Sequence, residues 1–464
     1  MHEATELLEE LAADRALVYR LEEADRIRLL NAAGDVFCPD VDQRRQQSRS
    51  RKRRERVEQL RHDEGVLSET GIRKARTKPV FTTPNLSPPR RPRSTEPSEA
   101  LEPQHCYVCK QHYSRIHHFY DQLCPPCAEL NWRKRTETAH LTGRVALLTG
   151  GRVKIGYQAA IKLLRSGARV IVTTRFPTDA ALRYSRERDF DAWSARLRIF
   201  GVDLVHTPTV EAFCEHLAAT EPGLDFIINN ACQTVRRPDA FYRHMLEQEQ
   251  LSTVALPAGA RPLLGGRWLP APATSELAQG AGEVELFPAG ALDADLQQVD
   301  LREHNSWRMR LAEVPTLELV EAHLVNAIAP FVLTARLKEL MLRTPRRDKH
   351  VVNVSAMEGQ FYKRWKTTRH PHTNMAKAAL NMMTRTSAAD YHADGIHMNS
   401  VDTGWVTDED PVHLAERKLA EQRFHPPLDI VDGAARIVDP IISGVNSGEH
   451  VWGQFLKDYH PADW

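Results

Sequence analysis

Residues 144–156 read RVALLTGGRVKIG, and the fold turns on them. Val145 to Leu148 form a short apolar run suited to a buried parallel strand. Thr149-Gly150-Gly151 interrupts it, and Tyr157 to Leu164 opens an amphipathic helix. A strand, a glycine turn and a helix N-terminus make an anion site, because free N–H groups and the positive end of the helix dipole point at one spot. Gly150 lets the backbone turn, and Gly156 lets the helix approach a pyrophosphate with no Cβ in the way. The same pattern also fits a strand–helix junction that uses glycine for steric reasons alone, so the later strands decide.

Working outward, 464 residues suffice for two to three domains. A hydrophobic share of 42% with 27% charged residues describes an ordinary globular chain, and a net charge of +1 argues against a globally basic nucleic-acid binder. No apolar run approaches the ~20 residues of a bilayer span. The acidic start, MHEATELLEELAADRALVY, is unlike a secretory or transit peptide. Four of the seven cysteines are clustered, which suits a reducing compartment with bound metal. These features together predict an intracellular, cytoplasmic protein.

Three segments are expected upstream of the turn, and a fourth contains it. Residues 1–42 form a helical segment, with Leu7, Leu8, Leu11, Val18, Leu21, Ile27 and Leu30 at helical spacing. Residues 43–104 are first Arg-rich and then Pro/Ser/Thr-rich, and read as a disordered or partly helical linker. Within it, Arg51-Lys52-Arg53-Arg54 is either solvated linker charge, a nuclear localisation signal or a phosphate-binding patch. Residues 105–135 hold Cys106-x-x-Cys109 and Cys124-x-x-Cys127, four thiolates that form a ligand set for structural zinc. This zinc-ribbon-like module either packs on the rest of the chain or binds a protein or nucleic acid. Residues 140–464 form the last domain, interrupted by an insertion at about 238–312.

In that domain strands are expected at 145–148, 169–174, 198–203, 224–229, 351–355 and 397–401, with helices between. That alternation predicts an α/β doubly wound parallel sheet, a Rossmann fold. Ligands in such sheets bind at the carboxyl ends of strands, where Thr149, Arg175, Asp203, Asn229 and Ser355 fall.

From residue 143 onward the chain resembles the short-chain dehydrogenase/reductase family. Thr149-Gly150 with Gly156 matches its glycine motif, with Lys154 where a middle glycine usually stands. Asn229-Asn230-Ala231-Cys232 matches Asn-Asn-Ala-Gly, and NMAKAALN around Lys377 matches the catalytic helix. The resemblance implies that Thr149, Gly150, Ile155, Gly156, Asn229, Ala231 and Val406 border the cofactor and that Asp203 contacts adenine. It also implies that Asn326 holds a relay water, Ser355 orients substrate and Lys377 bonds the nicotinamide ribose.

Arg175 at the end of the second strand, with Arg152 in the glycine turn, suits a 2′-phosphate, so NADPH is expected ahead of NAD. The family's proton donor is the tyrosine of Tyr-x-x-x-Lys, but four residues before Lys377 stands Thr373. Either Tyr362 folds back into the site, or His370 or His372 donates the proton, or catalysis runs without a tyrosine, or the chemistry is lost. The expected function is therefore an NADP(H)-dependent oxidoreductase acting on a carbonyl/alcohol pair. The alternative is a cofactor-binding scaffold or redox sensor acting through the zinc module and basic linker. The insertion, Gly/Pro/Ala-rich over 256–290, reads as a lid, a partner-binding arm or a disordered loop. The sequence leaves the oligomeric state open; the resemblance adds that the family usually pairs subunits through helices of this domain, which would make a homo-oligomer.

Overall fold

The computed structural model describes residues 2–37, 41–76, 98–249, 256–268, 284–288, 290–292, 298–362, 366–422 and 425–464. The chain divides into two compact units, residues 1–67 with 99–102 and residues 68–98 with 103–464.

The smaller unit is helical. His2–Ala13 and Glu23–Phe37 are α-helices joined by a 3-10 turn, Arg15–Arg20, and none of the three buries a residue fully. Of the stretch read as linker, Val41–Ser68 forms one long helix. Its Arg, Gln, Glu and Leu residues are good helix formers, so local propensity suffices where no apolar face exists. Asp63 is its buried exception: the carboxylate accepts N–H bonds from Leu101 and Glu102 at 2.7 and 3.0 Å. Burial pushes its pKa up, but the two amide donors outweigh that and hold it below the usual carboxylate range. The Pro/Ser-rich part of the expected linker, residues 77–97, lies outside the described residues, as does Cys38.

In chain order the strands are β1 (Glu99–His105), β2 (His112–Arg115), β3 (Val145–Thr149), β4 (Arg169–Thr174), β5 (Leu197–Val202), β6 (Phe226–Asn229), β7 (Leu264–Trp268), β8 (Lys349–Ser355), β9 (Ile396–Asp402), β10 (Phe455–Lys457) and β11 (His460–Ala462). Strands β3 to β11 build one sheet in the order β11-β10-β9-β8-β6-β3-β4-β5-β7. Every neighbouring pair is parallel except β10–β11. The order reverses at β3, between β4 and β6, and this switch point opens the crevice that doubly wound sheets use for ligands.

Both faces of the sheet are covered, which is why its strands are continuous apolar runs. On one face Leu147, Ile171 and Ile227 pack beneath the helices Thr207–Thr220 and Thr316–Arg336. On the other, Leu148, Val172 and Ile228 pack beneath the helices Lys154–Arg165 and Ile430–Ser447. By length and composition Thr316–Arg336 is long and apolar enough to cross a bilayer, which the sequence reading missed; here it packs on the helices Thr207–Thr220 and Pro371–Ala393.

Over its described residues the insertion contributes a helix and an edge strand to the fold. Its helix Asp239–Glu249 ends in Glu249, whose carboxylate accepts the N–H groups of Thr178 and Asp179 at 2.8 and 3.1 Å. β7 then pairs with β5 and extends the sheet edge. A Cβ on Gly265 would lie 2.4 Å from the Phe200 ring, so this strand approaches β5 only as glycine. At the chain's end β10 and β11 follow two glycine turns. Gly448 ends the preceding helix at φ 75°, and Gly453 turns again at φ 65°.

Candidate active site

The glycine turn is locked to the end of β6. Thr149 Oγ1 accepts the N–H groups of Asn230 and Ala231, both at 3.0 Å, and Asn230 Nδ2 donates back to the Thr149 carbonyl at 2.9 Å. Gly150 has φ 70°, and a Cβ there would lie 2.9 Å from Ala231 Cα. A Cβ on Gly156 would lie 2.3 Å from the Gly150 carbonyl oxygen and 2.4 Å from Asn230 Nδ2. The helix start can lie this close to the strand ends only without a side chain there. Lys154 keeps the left-handed backbone of the glycine it replaces, at φ 55°. Its ammonium lies 3.7 Å from Glu409 in the segment after β9. Lys154 holds the Glu409 carboxyl below its usual range despite burial.

The two arginines separate. Arg152 is buried and pairs with Asp179 at 2.7 Å, an acid that also holds Arg183 at 2.6 Å. Its partner lies 27 residues away on another element, so nothing in the glycine turn predicts the pairing. Arg175 is exposed at the end of β4, its guanidinium over the Tyr242 ring at 4.6 Å and the Phe176 ring at 5.5 Å. Tyr242 comes from the insertion helix. Asp203 follows β5 and accepts the Val205 N–H at 3.1 Å. Ile155 and Val406 meet at Gly433, where a Cβ would lie 2.9 Å from Ile155 Cδ1 and 3.1 Å from Val406 Cγ2.

Ser355 and Lys377 come together. Ser355 Oγ donates to Asn381 Oδ1 at 2.6 Å, and Lys377 Nζ donates to the Val354 carbonyl at 2.7 Å, one residue away along β8. All three side chains are buried, and Lys377 and Asn381 sit one turn apart on the helix Pro371–Ala393. Asn381 was missed in the sequence, although its spacing from Lys377 was the available signal. Asn326 lies in a π-helical turn, Leu324–Ile328, within an otherwise α-helical rod. Its amide clasps the Gln233 backbone, accepting from N–H at 2.7 Å and donating to C=O at 3.1 Å. Asn229 instead turns into the sheet, donating to Asn353 at 2.8 Å and Thr334 at 3.1 Å.

At the expected tyrosine position, Thr373 is buried and its Oγ1 has no hydrogen-bond partner. Tyr362 is 49% exposed, with its hydroxyl 4.0 Å from Met357 sulfur, so it does not join the Ser355–Asn381 pair. His370 stacks on Trp307 at 3.9 Å and shares a hydrogen bond with Asn374 at 3.0 Å. His372 is buried with Nε2 3.5 Å from Glu318, and its Nδ1 has no partner. Burial pushes the Glu318 pKa up, but His372 and neighbouring groups prevail and leave it lowered. Gln360 is also buried with both amide atoms unpartnered.

The sulfurs of Cys106, Cys109, Cys124 and Cys127 all lie within 4.8 Å of one another. The segment around them is riveted to the helix Ile430–Ser447 rather than hanging free. Arg135 makes a two-point pair with Asp429 at 2.6 Å and reaches Asp432 at 3.0 Å; Tyr120 donates to Asp432. Asp121 is held by Arg73 at 2.6 Å and His425 at 2.7 Å. A small segment with too little core of its own thus shares that of the larger domain.

Comparison with known proteins agrees with this architecture. A family model described as short chain dehydrogenase matches residues 144–255, and one described as Enoyl-(Acyl carrier protein) reductase matches residues 292–426. An uncharacterized protein of Acanthamoeba polyphaga mimivirus is 31% identical over 371 residues, 76% of this chain and 75% of that one. Retinol dehydrogenase 12 of Mus musculus is 31% identical over 113 residues, 24% of this chain, which spans 35% of its length. A short chain dehydrogenase from Burkholderia cenocepacia, solved in complex with NADP, aligns at 18% identity and a TM-score of 0.44, covering 68% of this chain and 96% of that one.

Proposed function

The chain belongs to the short-chain dehydrogenase/reductase family, and from that premise we propose that it is an NADP(H)-dependent oxidoreductase of a carbonyl/alcohol pair. The observation that carries this is the gathering of Ser355, Asn381 and Lys377 at the carboxyl end of β8, in the same parallel sheet whose switch-point strand β3 ends in the glycine turn. Residues 149–156 would hold the pyrophosphate, with Lys154 adding a cation. Arg175, exposed over Tyr242 at the end of β4, would meet the 2′-phosphate, and Arg152 would support the turn through Asp179.

When bound, the nicotinamide supplies a hydride to the carbonyl carbon. Lys377 would bond its ribose, and Ser355, oriented by Asn381, would donate to the carbonyl oxygen. Asn326 positions the strand-end loop through Gln233. The alkoxide needs a proton that Thr373 is too weak an acid to give. His372 is the proposed donor: Glu318 faces Nε2, which leaves Nδ1 to carry the transferred proton. Tyr362, solvent-facing on Met357, is the weaker candidate.

The four cysteines would hold one structural zinc. Tetrahedral ligation with bonds of ~2.3 Å needs sulfurs roughly this close, and all four ligand positions would be filled. An intracellular location suits such thiolates. The exposed basic helix around Arg51–Arg54 would face a protein or nucleic-acid partner.

A second function is favoured by the absence of a phenol beside Lys377 and by the Lys154–Glu409 pair at the phosphate turn: a nucleotide-binding scaffold or redox sensor. Fluorescence titration with NADPH and NADH, followed by a carbonyl panel, separates the two. NADPH-preferring binding with turnover, lost in His372→Gln while binding survives, supports the reductase. Binding without turnover on any carbonyl supports the sensor. Arg175→Asp should weaken NADPH much more than NADH, and equal loss of both would sink the NADP assignment.

A further inference from the structure

The segment that follows β9 is held from three directions. Lys154 of the glycine turn faces Glu409 at 3.7 Å, and Thr407 Oγ1 donates to the same carboxylate at 2.8 Å. From the insertion, Asn305 Nδ2 donates to the Glu409 carbonyl at 2.9 Å, and Arg308 pairs with Asp410 at 2.6 Å. The third hold comes from the cysteine cluster. Tyr107 lies between Cys106 and Cys109, and its hydroxyl accepts the Trp405 N–H at 2.9 Å. Next to it Gly404 has φ 73°, and a Cβ there would sit 2.5 Å from Leu428 and 3.5 Å from the Tyr107 hydroxyl. The Tyr107 N–H in turn donates to the Gln122 carbonyl at 2.9 Å, so the residue is fixed at both ends.

Residues 403–410 therefore run from the cysteine knuckle at one end to the phosphate turn at the other. Val406, midway, touches the same glycine as Ile155 of that turn. A backbone amide on an irregular segment is otherwise satisfied by water, and a buttressing hydroxyl fixes where that segment runs. We propose that the metal knuckle is a buttress for the nucleotide site and that Tyr107 is a positioning residue. It sets the 403–410 segment in the place from which Val406 and Glu409 meet the glycine turn. Metal held by the four sulfurs fixes the Tyr107 backbone, and through its hydroxyl fixes Trp405. The proposal rests on the assignment of that turn to a nicotinamide nucleotide.

The test compares the full-length, zinc-loaded chain with Tyr107→Phe, which removes the acceptor oxygen and keeps the ring. Hydrogen exchange of peptides covering 403–408 should speed up about fivefold or more, the scale expected for one lost hydrogen bond. The NADPH Kd should rise about fivefold, while zinc content and melting temperature stay at wild-type values. A general loss of packing would move the last two as well. Stripping zinc from the wild type with a chelator should produce the same local acceleration. Unchanged exchange at 403–408 in Tyr107→Phe overturns the proposal, as does acceleration spread over the whole domain or accompanied by zinc loss. Unchanged exchange on chelation overturns the metal coupling. Faster exchange in a protein that binds no NADPH leaves the buttress standing and removes the nucleotide assignment instead.

Discussion

Asp402 ends β9 inside the protein, 6% exposed, and burial pushes its pKa up from 3.8 to about 6, with Lys457 opposing the rise. In that interval the folded chain binds a proton that the unfolded chain has released. Stability from this group is therefore complete at pH 4, falls as pH rises through the window, and stays lost above it. The distance from 3.8 to about 6 corresponds to ~3 kcal/mol. Asp402→Asn keeps the shape and removes the titration. The variant should match wild type in urea unfolding at pH 4 and exceed it by up to ~3 kcal/mol at pH 7, with the gap opening between pH 4 and 6. A gap of equal size at all pH values, or a less stable variant at pH 7, would refute this account of the carboxyl.

Gly156→Ala should destabilise the domain by about 1–3 kcal/mol and cost more than about tenfold in NADPH affinity, both read by titration and thermal melting. The cause is the Gly150 carbonyl 2.3 Å from the new Cβ, and a well-folded variant with unchanged affinity would contradict it. His350, His397 and His450 gather near the amino ends of β8 and β9, with His350 and His450 3.0 Å apart and the His397 and His450 rings stacked at 4.7 Å. Burial, first, pushes all three below their ordinary 6.5, so they fold neutral and the unfolded chain takes up protons first. Stability should fall as pH drops below 6.5, and His450→Gln should reduce that loss by on the order of 1 kcal/mol between pH 7 and 5.5; identical acid profiles would exclude the cluster as its source.

Which features the sequence carried depended on how local their causes were. β3, β4, β8 and β9 were legible because a strand buried on both faces is an unbroken apolar run. β7 was not, because LGGRW reads as a loop until the Phe200 ring is seen to occupy the place of a side chain on Gly265. For the long helix Val41–Ser68 the sequence left disorder and partial helix both open, because its charge argued for the first and its propensity for the second. In the site, the family resemblance pointed to Ser355 and Lys377, whose hydrogen bonds go to Asn381 and to the neighbouring Val354 carbonyl of β8. Arg152 and Asn229, expected beside the cofactor, have side chains that pair with Asp179 and Asn353, partners that only the tertiary fold supplies. The Glu318–His372 pair joins two helices and leaves no mark in either one's sequence alone.

The rivets between the cysteine segment and the helix Ile430–Ser447 join residues far apart in the chain: Arg135 and Asp429 are 294 positions apart. A ribosome adding about 5–20 residues per second needs roughly 15–60 s to cover that distance. For that interval the nascent cysteine segment has no helix to dock on, and capturing its ion early is what would keep it folded. Completion of this packing is thus a late event: the helix that clamps the cysteine segment directly precedes β10 and β11. Chains released short of that helix would lack Asp429 and Asp432 as partners for Arg135 and would leave the face of the sheet it shares with the helix Lys154–Arg165 only partly covered, a signature that quality control can recognise.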